Sequence, residues 1–391
     1  MTLPSIAVLL LVSAVVAMLS RRLHLPYAVG LVLAGIWLAF IPALAGLQLS
    51  KELIYNVLLP ALIFEAAVQI RWSELRLDLP AIAIFATVGV AITAATAAIG
   101  MVWLAGWTLA PALVFGVLIA ATDPVSVIAT FKEARVTGRL RLLVEAESII
   151  NDGTATVGLS VAVALALGHS MDLSQIGIAL VIAPVGGALC GGIVAGAVLL
   201  LAGRTQDYLV EITLSTVAAY GSFMLAEYLG MSAVLATLVA GLIIGNAGSL
   251  GPMTAKGRET LDAFWEVLAF VANSLIFLLI GVQQWHVNVL QQWWLVAAAI
   301  SVVLIGRAFS IYPLSALLSR TRWYIEPESR HILFWGGLRG ALGLALALGL
   351  PDDLAHRSEI ITVTFGVVLF SIFVQGLTIT PLLRRFGVIG R

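Results

Sequence analysis

Long runs of apolar residues follow one another along almost the whole chain, separated by short polar stretches. A helix that crosses a bilayer needs about 20 mostly apolar residues, whereas the strands of a membrane β-barrel alternate apolar and polar residues over segments of about 10. The runs here are continuous and long, which predicts an all-α polytopic membrane protein. At about 17–25 residues per span, we place about thirteen transmembrane helices near residues 3–19, 26–46, 52–69, 79–105, 108–131, 142–168, 175–202, 207–229, 231–248, 259–283, 290–318, 329–349 and 358–383.

The composition supports this class and excludes soluble ones. The chain has 391 residues, of which 61% are hydrophobic and 11% are charged, and its mean hydropathy is +1.07. A soluble domain carries about 25% charged residues, so this chain has too few polar side chains to cover a water-exposed surface. The formal net charge is zero, which provides no basic surface for nucleic acid. Because Cys190 is the single cysteine, an intramolecular disulfide and a multi-thiolate metal cluster are excluded.

The positive charges predict how the chain is oriented. Arg21 and Arg22 follow the first apolar run and no basic residue precedes it; a cleaved signal peptide has the reverse order, so we predict a retained first helix. Of the 21 Lys and Arg residues, 17 fall on one side of the predicted spans, whereas Lys51 and Arg357 fall on the other. The positive-inside rule places the rich side in the cytoplasm. We therefore predict an integral protein of the cell (inner) membrane, with its N-terminus outside and its C-terminus cytoplasmic.

Two of the predicted helices are interrupted. The fifth contains ATDPVS at 121–126, where Pro124 removes a backbone donor and Asp123 is placed to cap a new half-helix. The twelfth contains WGGLRGALG at 335–343. The two breaks occupy corresponding positions if the chain is built from two inverted six-helix repeats. We therefore predict one transmembrane domain with no soluble regulatory domain. The repeats would span about 3–168 and 207–383, joined by a linker helix near 175–202. Paired interrupted helices of this kind indicate a transporter site.

The densest group of polar residues within the spans is ESIINDG at 147–153. Ser148 and Asp152 are four residues apart, so they share one face of a helix and offer oxygen ligands to a hard cation such as Na⁺. The break in the fifth helix would free the carbonyl of Thr122 as a further ligand. Burial and the nearby Asp123 both disfavour a bare charge on Asp152. We predict that Asp152 carries either a proton or a cation, and that Asp123 positions the site.

The remaining charges inside the spans are given supporting roles. Glu147 and Asn151 lie on the adjacent strip of the same helix, and we predict that Glu147 pairs with Arg339 of the twelfth helix. Arg307 is predicted to bond the backbone of an unwound helix. Glu65 is an isolated acid in the third helix, and an acid within a membrane helix is a candidate functional residue.

These motifs together resemble one known family. The stretch FGVLIAATDPVSVIATFKEARVTGRLRLLVEAESIINDGTATV at 115–157 closely resembles the monovalent cation:proton antiporter-1 family, which includes NhaP-type antiporters and animal sodium/proton exchangers. LLPALIFEAA at 58–67, GGLRGALGLALAL at 336–348 and VQGLTITPLL at 374–383 are similar to further segments of the family. The resemblance covers essentially the whole chain.

The resemblance implies a role for each site residue. Asn151 and Asp152 match the family's ion-binding pair, and an Asn at the first position is typical of electroneutral members that exchange one proton per cation. Asp123 matches the aspartate at the crossing of the interrupted helices. The resemblance also implies a structural ion pair, a homodimer whose core domain slides against a dimer domain, and a role in pH regulation. The implied ion shell is completed by Ser148, Glu65 and the Thr122 carbonyl, and the implied ion pair is Glu147 with Arg339.

From these observations we predict a secondary active antiporter, not an enzyme, that exchanges Na⁺, and Li⁺ as well, for H⁺ by alternating access. No cofactor is predicted; the cation and the proton are the cargo, and the partners are membrane lipid and a second copy of the chain. Spacing does not separate Na⁺ from K⁺, so a K⁺/H⁺ antiporter with the same site is the alternative. A channel and an intramembrane aspartyl protease that uses Asp123 and Asp152 are more remote alternatives. The five histidines form no HExxH motif, which disfavours a metalloprotease.

Overall fold

We describe the protein from a computed structural model. The structure describes residues 3–23, 25–41, 50–123, 131, 136–169, 171–247, 254–283, 289 and 291–388. Every regular element in these ranges is a helix, and no strand occurs among them. The predicted all-α class is therefore confirmed.

Fourteen helices are described, and we number them in chain order. They are α1 (Leu3–Leu23), α2 (Tyr27–Leu38), α3 (Leu53–Gln69), α4 (Trp72–Ala105), α5 (Leu109–Ala120), α6 (Arg139–Ala166), α7 (Leu173–Ala202), α8 (Tyr208–Tyr228), α9 (Ala233–Ala247), α10 (Ala255–Gln283), α11 (Trp293–Leu317), α12 (Pro327–Trp335), α13 (Ala341–Leu348) and α14 (Arg357–Arg385).

Seven of the described helices are long and apolar enough to cross a membrane: α4, α6, α7, α8, α10, α11 and α14. Shorter apolar helices coincide with the first, second, third, fifth and ninth predicted spans, and α12 and α13 together cover the twelfth. The chain is thus an integral membrane protein. The count of thirteen spans and the inverted repeats stay predictions.

The helices pack into two groups. The first group consists of α1, α2, α3, α7, α8, α9 and α10, and the second of α4, α5, α6, α11, α12, α13 and α14; the most extensive helix pairings lie within a group. Between the groups, α6 contacts α7 and α9, α13 contacts the start of α3, and α2 contacts α14. The candidate site lies at this boundary.

Glycines bring the backbones of the first group into close contact. A β-carbon on Gly35 of α2 would collide with the carbonyl of Leu278 on α10, and one on Gly281 of α10 would collide with the carbonyl of Val32 on α2. Of the paired glycines in α7, Gly191 packs in the same way on α9. Small residues allow this approach in membrane helices, where van der Waals packing replaces the hydrophobic effect.

A charged cluster fastens the second group at one end. Arg139, at the start of α6, donates to both carboxylate oxygens of Asp78 on α4, with its Nη2 2.7 Å from Asp78 Oδ1. Its Nη1 donates to the carbonyl oxygen of Tyr324 over 2.6 Å. Because Tyr324 precedes α12, this cluster joins α4 and α6 to the interrupted segment. Arg139 is one of the 17 basic residues on the predicted cytoplasmic side, and neither it nor Asp78 was predicted to form this cluster.

A short connection joins the two groups between α3 and α4. Asn246 on α9 accepts a hydrogen bond from the backbone N–H of Trp72 over 2.9 Å and donates to the carbonyl oxygen of Ile70, also over 2.9 Å. The two groups are thus held together at the point where the chain crosses from one to the other.

Candidate ion-binding site

The two interrupted segments meet at the centre of the site. Helix α5 ends at Ala120, and residues 121–123 are not helical. A proline at position 124 disfavours helical backbone in the residue before it, which accounts for a helix end here. The second interruption separates α12 from α13 at 336–340, as the sequence predicts. The predicted half-helix that starts at Pro124 lies outside the described residues.

The segments touch through backbone and through a glycine. The N–H of Asp123 donates to the carbonyl oxygen of Leu338 over 2.7 Å. A β-carbon on Gly340 would collide with the Asp123 side chain. Close approach of Asp123 therefore requires glycine at position 340, and this explains one of the glycines in the GGLRG segment.

A chain of hydrogen bonds connects the first interruption to α6. The hydroxyl of Thr122 donates to the hydroxyl oxygen of Ser148 over 3.1 Å. The amide of Asn151 donates to the Thr122 hydroxyl oxygen over 3.2 Å and to Glu147 Oε1 over 3.4 Å. The structure thus brings together Thr122, Ser148 and Asn151, which the sequence placed on two separate segments.

Asp152 is buried next to this chain of hydrogen bonds. Only 4% of the residue is exposed, and its Oδ1 makes no hydrogen bond to any residue that the structure describes. A buried carboxylate oxygen without a partner is costly unless it binds a cation or a proton. Within the described residues, one oxygen of the buried Asp152 carboxylate is thus available to a proton or a cation.

A cavity of about 200 Å³ reaches Asp152 from between the two helix groups. The second group contributes Asp152, Thr122 and Asp123 to its wall. The first group contributes mainly apolar side chains of α2, α3 and α10, together with Glu65 and a few polar residues. Four of the five predicted ion-binding residues therefore line one cavity, and the fifth, Ser148, is hydrogen-bonded to Thr122.

Glu65 is half-buried on α3 and lies on the opposite wall from Asp152. Gln69, one turn later on the same helix, donates a hydrogen bond to Glu65 Oε1. Glu65 therefore lies in the same cavity as Asp152, and its role toward an ion stays a prediction.

The predicted partner of Glu147 is wrong. Glu147 forms a two-pronged ion pair with Arg307 of α11, with Nη1 to Oε1 at 2.8 Å and Nη2 to Oε2 at 3.0 Å. Arg307 also donates to the carbonyl oxygen of Leu333 over 3.0 Å, near the end of α12, which confirms its predicted bond to the interrupted helix. A β-carbon on Gly337 would lie 2.6 Å from Arg307 Nε, so the glycine makes room for this guanidinium.

Arg339 stabilises a helix end. Its Nη1 donates to the carbonyl oxygens of Ala120 and Ala121 over 2.6 and 2.9 Å. These carbonyls end α5, where the helix dipole is negative and a cation is favoured. The side chain is 2% exposed. Arg339 thus neutralises the broken end of α5, and the sequence could not separate this role from that of Arg307 because both arginines lie within predicted spans.

Two polar residues of α10 in the cavity wall were missed. Glu266 and Asn273 line it together with Phe270. They are seven residues apart, which places them on one face of the helix, and this spacing was the available signal. Tyr27 of α2 stacks on Phe270 with ring centroids 5.4 Å apart, and its hydroxyl is 2.7 Å from that of Ser274.

The residues that the structure describes contain no group of three or more His, Cys, Asp or Glu side chains placed to hold a metal ion. Hydroxyl, amide and carbonyl oxygens are also ligands that hard cations prefer. Thr122 and Ser148 provide such atoms beside Asp152.

Comparison with known proteins identifies the family. Residues 7–385 match the family described as "Sodium/hydrogen exchanger, transmembrane". The chain is 40% identical to the Na(+)/H(+) antiporter ApNhaP of Aphanothece halophytica, over 94% of this chain and 71% of that protein. It is 31% identical to the Na(+)/H(+) antiporter NhaH of Halobacillus dabanensis, over 98% of both.

The fold is shared with a solved structure. The sodium proton antiporter MjNhaP1 from Methanocaldococcus jannaschii aligns with a TM-score of 0.76 at 19% identity, over 99% of this chain and 98% of that one. The sequence match extends over nearly the whole chain, and the predicted family is confirmed. This chain belongs to the sodium/hydrogen exchanger family of membrane transporters.

Proposed function

We propose that this protein is a secondary active antiporter that exchanges Na⁺ for H⁺ across the membrane. The observation that carries the proposal is Asp152, a buried carboxylate with one oxygen lacking a described partner, at the wall of a cavity between two helix groups. Relatives that are 31–40% identical are named Na(+)/H(+) antiporters, which supports this cargo.

The ligands proposed for Na⁺ are the carboxylate of Asp152, the oxygens of Thr122 and Ser148, and Glu65 across the cavity. Hard cations prefer such oxygens. Asp123 would add negative charge without leaving its backbone bond to Leu338. Asn151 holds the Thr122 hydroxyl in place and does not itself need to contact the ion.

Exchange follows from competition at one carboxylate. A proton on Asp152 removes the charge that attracts Na⁺, and a bound Na⁺ excludes the proton, so each crossing carries one or the other. We propose that the site is exposed to the two sides in turn, that one proton is exchanged per cation, and that Li⁺ also binds. Location in the cell membrane and assembly as a homodimer are part of the same proposal.

Purified protein in proteoliposomes tests the function. A pH gradient is imposed, Na⁺, Li⁺ or K⁺ is added in turn, and the collapse of the gradient is followed with a pH-sensitive dye, with and without a membrane potential clamped by valinomycin. We expect Na⁺ and Li⁺ to collapse the gradient at a rate that does not depend on the potential.

Each other outcome corrects a defined part of the proposal. If only K⁺ collapses the pH gradient, the cargo is K⁺ and not Na⁺. If the rate of collapse depends strongly on the membrane potential, the one-to-one stoichiometry is overturned. Loss of a pre-set cation gradient without movement of protons would indicate a channel. Absence of any cation-dependent proton movement would overturn the function.

A further inference from the structure

An apolar contact lies next to Asp152 on α6. Gly153 of α6, the next residue, faces Leu235 in the first turn of α9. A β-carbon on Gly153 would lie 2.7 Å from Leu235 Cγ, 2.9 Å from Cδ2 and 3.3 Å from Cδ1. The whole branched end of Leu235 therefore rests on the backbone of α6 beside the carrier residue.

This contact lies between the two helix groups. Helix α6 is joined to its own group by polar bonds, namely Arg139 to Asp78 and Glu147 to Arg307. Helix α9 is held in the other group by backbone packing, since a β-carbon on Gly245 would collide with Val68 of α3. The contact between α6 and α9 is made by a flexible apolar side chain on a glycine, and such a surface can slide or part without breaking a polar bond.

In the predicted topology, the contact and Glu65 in the cavity wall lie towards opposite sides of the membrane. Glu65 is one turn from the end of α3 that leads to Arg71, on the side rich in Lys and Arg. Leu235 is in the turn of α9 that follows the connection at 229–232, which the predicted topology places on the other side. In this topology, an ion at Asp152 would have the cavity towards the side rich in Lys and Arg and Leu235 towards the other side.

We propose that Leu235, seated on Gly153, is the seal that separates the ion site from the side of the membrane opposite the cavity. Glycine at 153 lets Leu235 lie directly on the backbone of α6, and a β-carbon there would force Leu235 to shift. The proposal rests on the proposed antiport, because a seal matters only where a site must open to one side at a time.

Four variants of the full chain in proteoliposomes test the seal: Gly153→Ala, Leu235→Ala, the double variant Gly153→Ala/Leu235→Ala, and Gly196→Ala as a control. A β-carbon on Gly196, in α7, meets no atom within 4 Å, so this control repeats the change of residue type without the collision. Two quantities are measured: Na⁺-dependent exchange, as maximal rate and KM, and Na⁺ efflux driven by a clamped potential at equal pH on both sides.

We expect Gly153→Ala to lower the maximal rate about tenfold while KM changes less than about twofold, because the ligands are untouched and only the conformational step is hindered. Leu235→Ala should raise potential-driven Na⁺ efflux above wild type, because the seal is thinned. The double variant should recover most of the rate lost in Gly153→Ala, and Gly196→Ala should match wild type.

Three results would overturn the seal: a wild-type rate in Gly153→Ala, no recovery in the double variant, or wild-type efflux in Leu235→Ala. If Gly153→Ala does not fold, as judged by size-exclusion chromatography, the efflux of Leu235→Ala decides alone. A wild-type protein without exchange would refute the proposed function instead. The two failures are therefore separable.

Discussion

The backbone N–H of Asp123 lies 2.7 Å from the carbonyl oxygen of Leu338 and donates to it, so main chain joins the two interrupted segments where they cross. The helix breaks leave these two backbone groups without intrahelical partners, and an unsatisfied backbone group is costly inside a membrane. The bond between Asp123 and Leu338 satisfies both groups. It also fixes Asp123 independently of its side chain. The backbone of Asp123 is thereby held at the wall of the cavity.

Replacing Asp152 with Asn should abolish exchange and leave the protein folded. The amide is close in shape to the carboxylate but cannot release a proton, so neither cargo is carried. Proteoliposome exchange and size-exclusion profiles check this, and Na⁺ should raise the melting temperature of wild type but not of this variant. Asp262→Asn, a change at an exposed position in α10, is the matched control. Full exchange by Asp152→Asn would remove the proposed carrier.

Replacing Glu147 with Gln should destabilise the protein by about 3–5 kcal/mol, because Arg307 is left as an uncompensated buried charge. Thermal unfolding in detergent measures the loss. The pair Glu147→Gln/Arg307→Met should recover part of it, since the unpaired charge is gone. The corresponding double variant with Arg339→Met should recover less. Equal recovery in both would contradict the observed pairing.

Replacing Gly340 with Ala should lower the exchange rate about tenfold or more, because the new β-carbon displaces the Asp123 carboxylate and small displacements at a reacting site are costly. Gly343→Ala, three residues later in α13, is the control, since a β-carbon there would lie at an ordinary contact distance of 3.6 Å from the carbonyl oxygen of Leu118. Initial rates at saturating Na⁺ compare the two. Similar rates in both variants would show that the position of Asp123 does not matter.

Acidification should weaken Na⁺ binding and leave the maximal rate at saturating Na⁺ much less affected. Where Asp152 is mostly protonated, competition at one carboxylate raises the apparent KM for Na⁺ about tenfold for each unit by which the pH falls. Initial rates over a grid of pH and Na⁺ concentration give this slope. A KM that stays constant while the maximal rate falls would place the inhibiting proton at another group.

Local spacing predicted the parts of the site that lie on one element. Ser148, Asn151 and Asp152 share a stretch of α6 because helical periodicity fixes their relation. The break at 336–340 follows from its glycines. Both features depend on residues close in sequence, and the structure reproduces them.

Contacts between distant helices were not predictable in the same way. Arg307 and Arg339 are both arginines within apolar spans, and only the packing of α11 against α6 shows which of them meets Glu147. Glu266 and Asn273 belong to the cavity because α10 presents that face to it. The spacing of residues in a single sequence shows which residues share a helix face, but not which part of the protein that face packs against.

Asn246 holds the backbone on both sides of the two-residue connection between α3 and α4. A connection this short leaves the helix groups almost no slack at that end, because two extended residues span only about 7 Å. Any relative movement of the groups would therefore be smallest at this connection and would grow with distance from it, as in a rotation about a hinge. Lengthening this connection would test whether transport depends on such a fixed pivot.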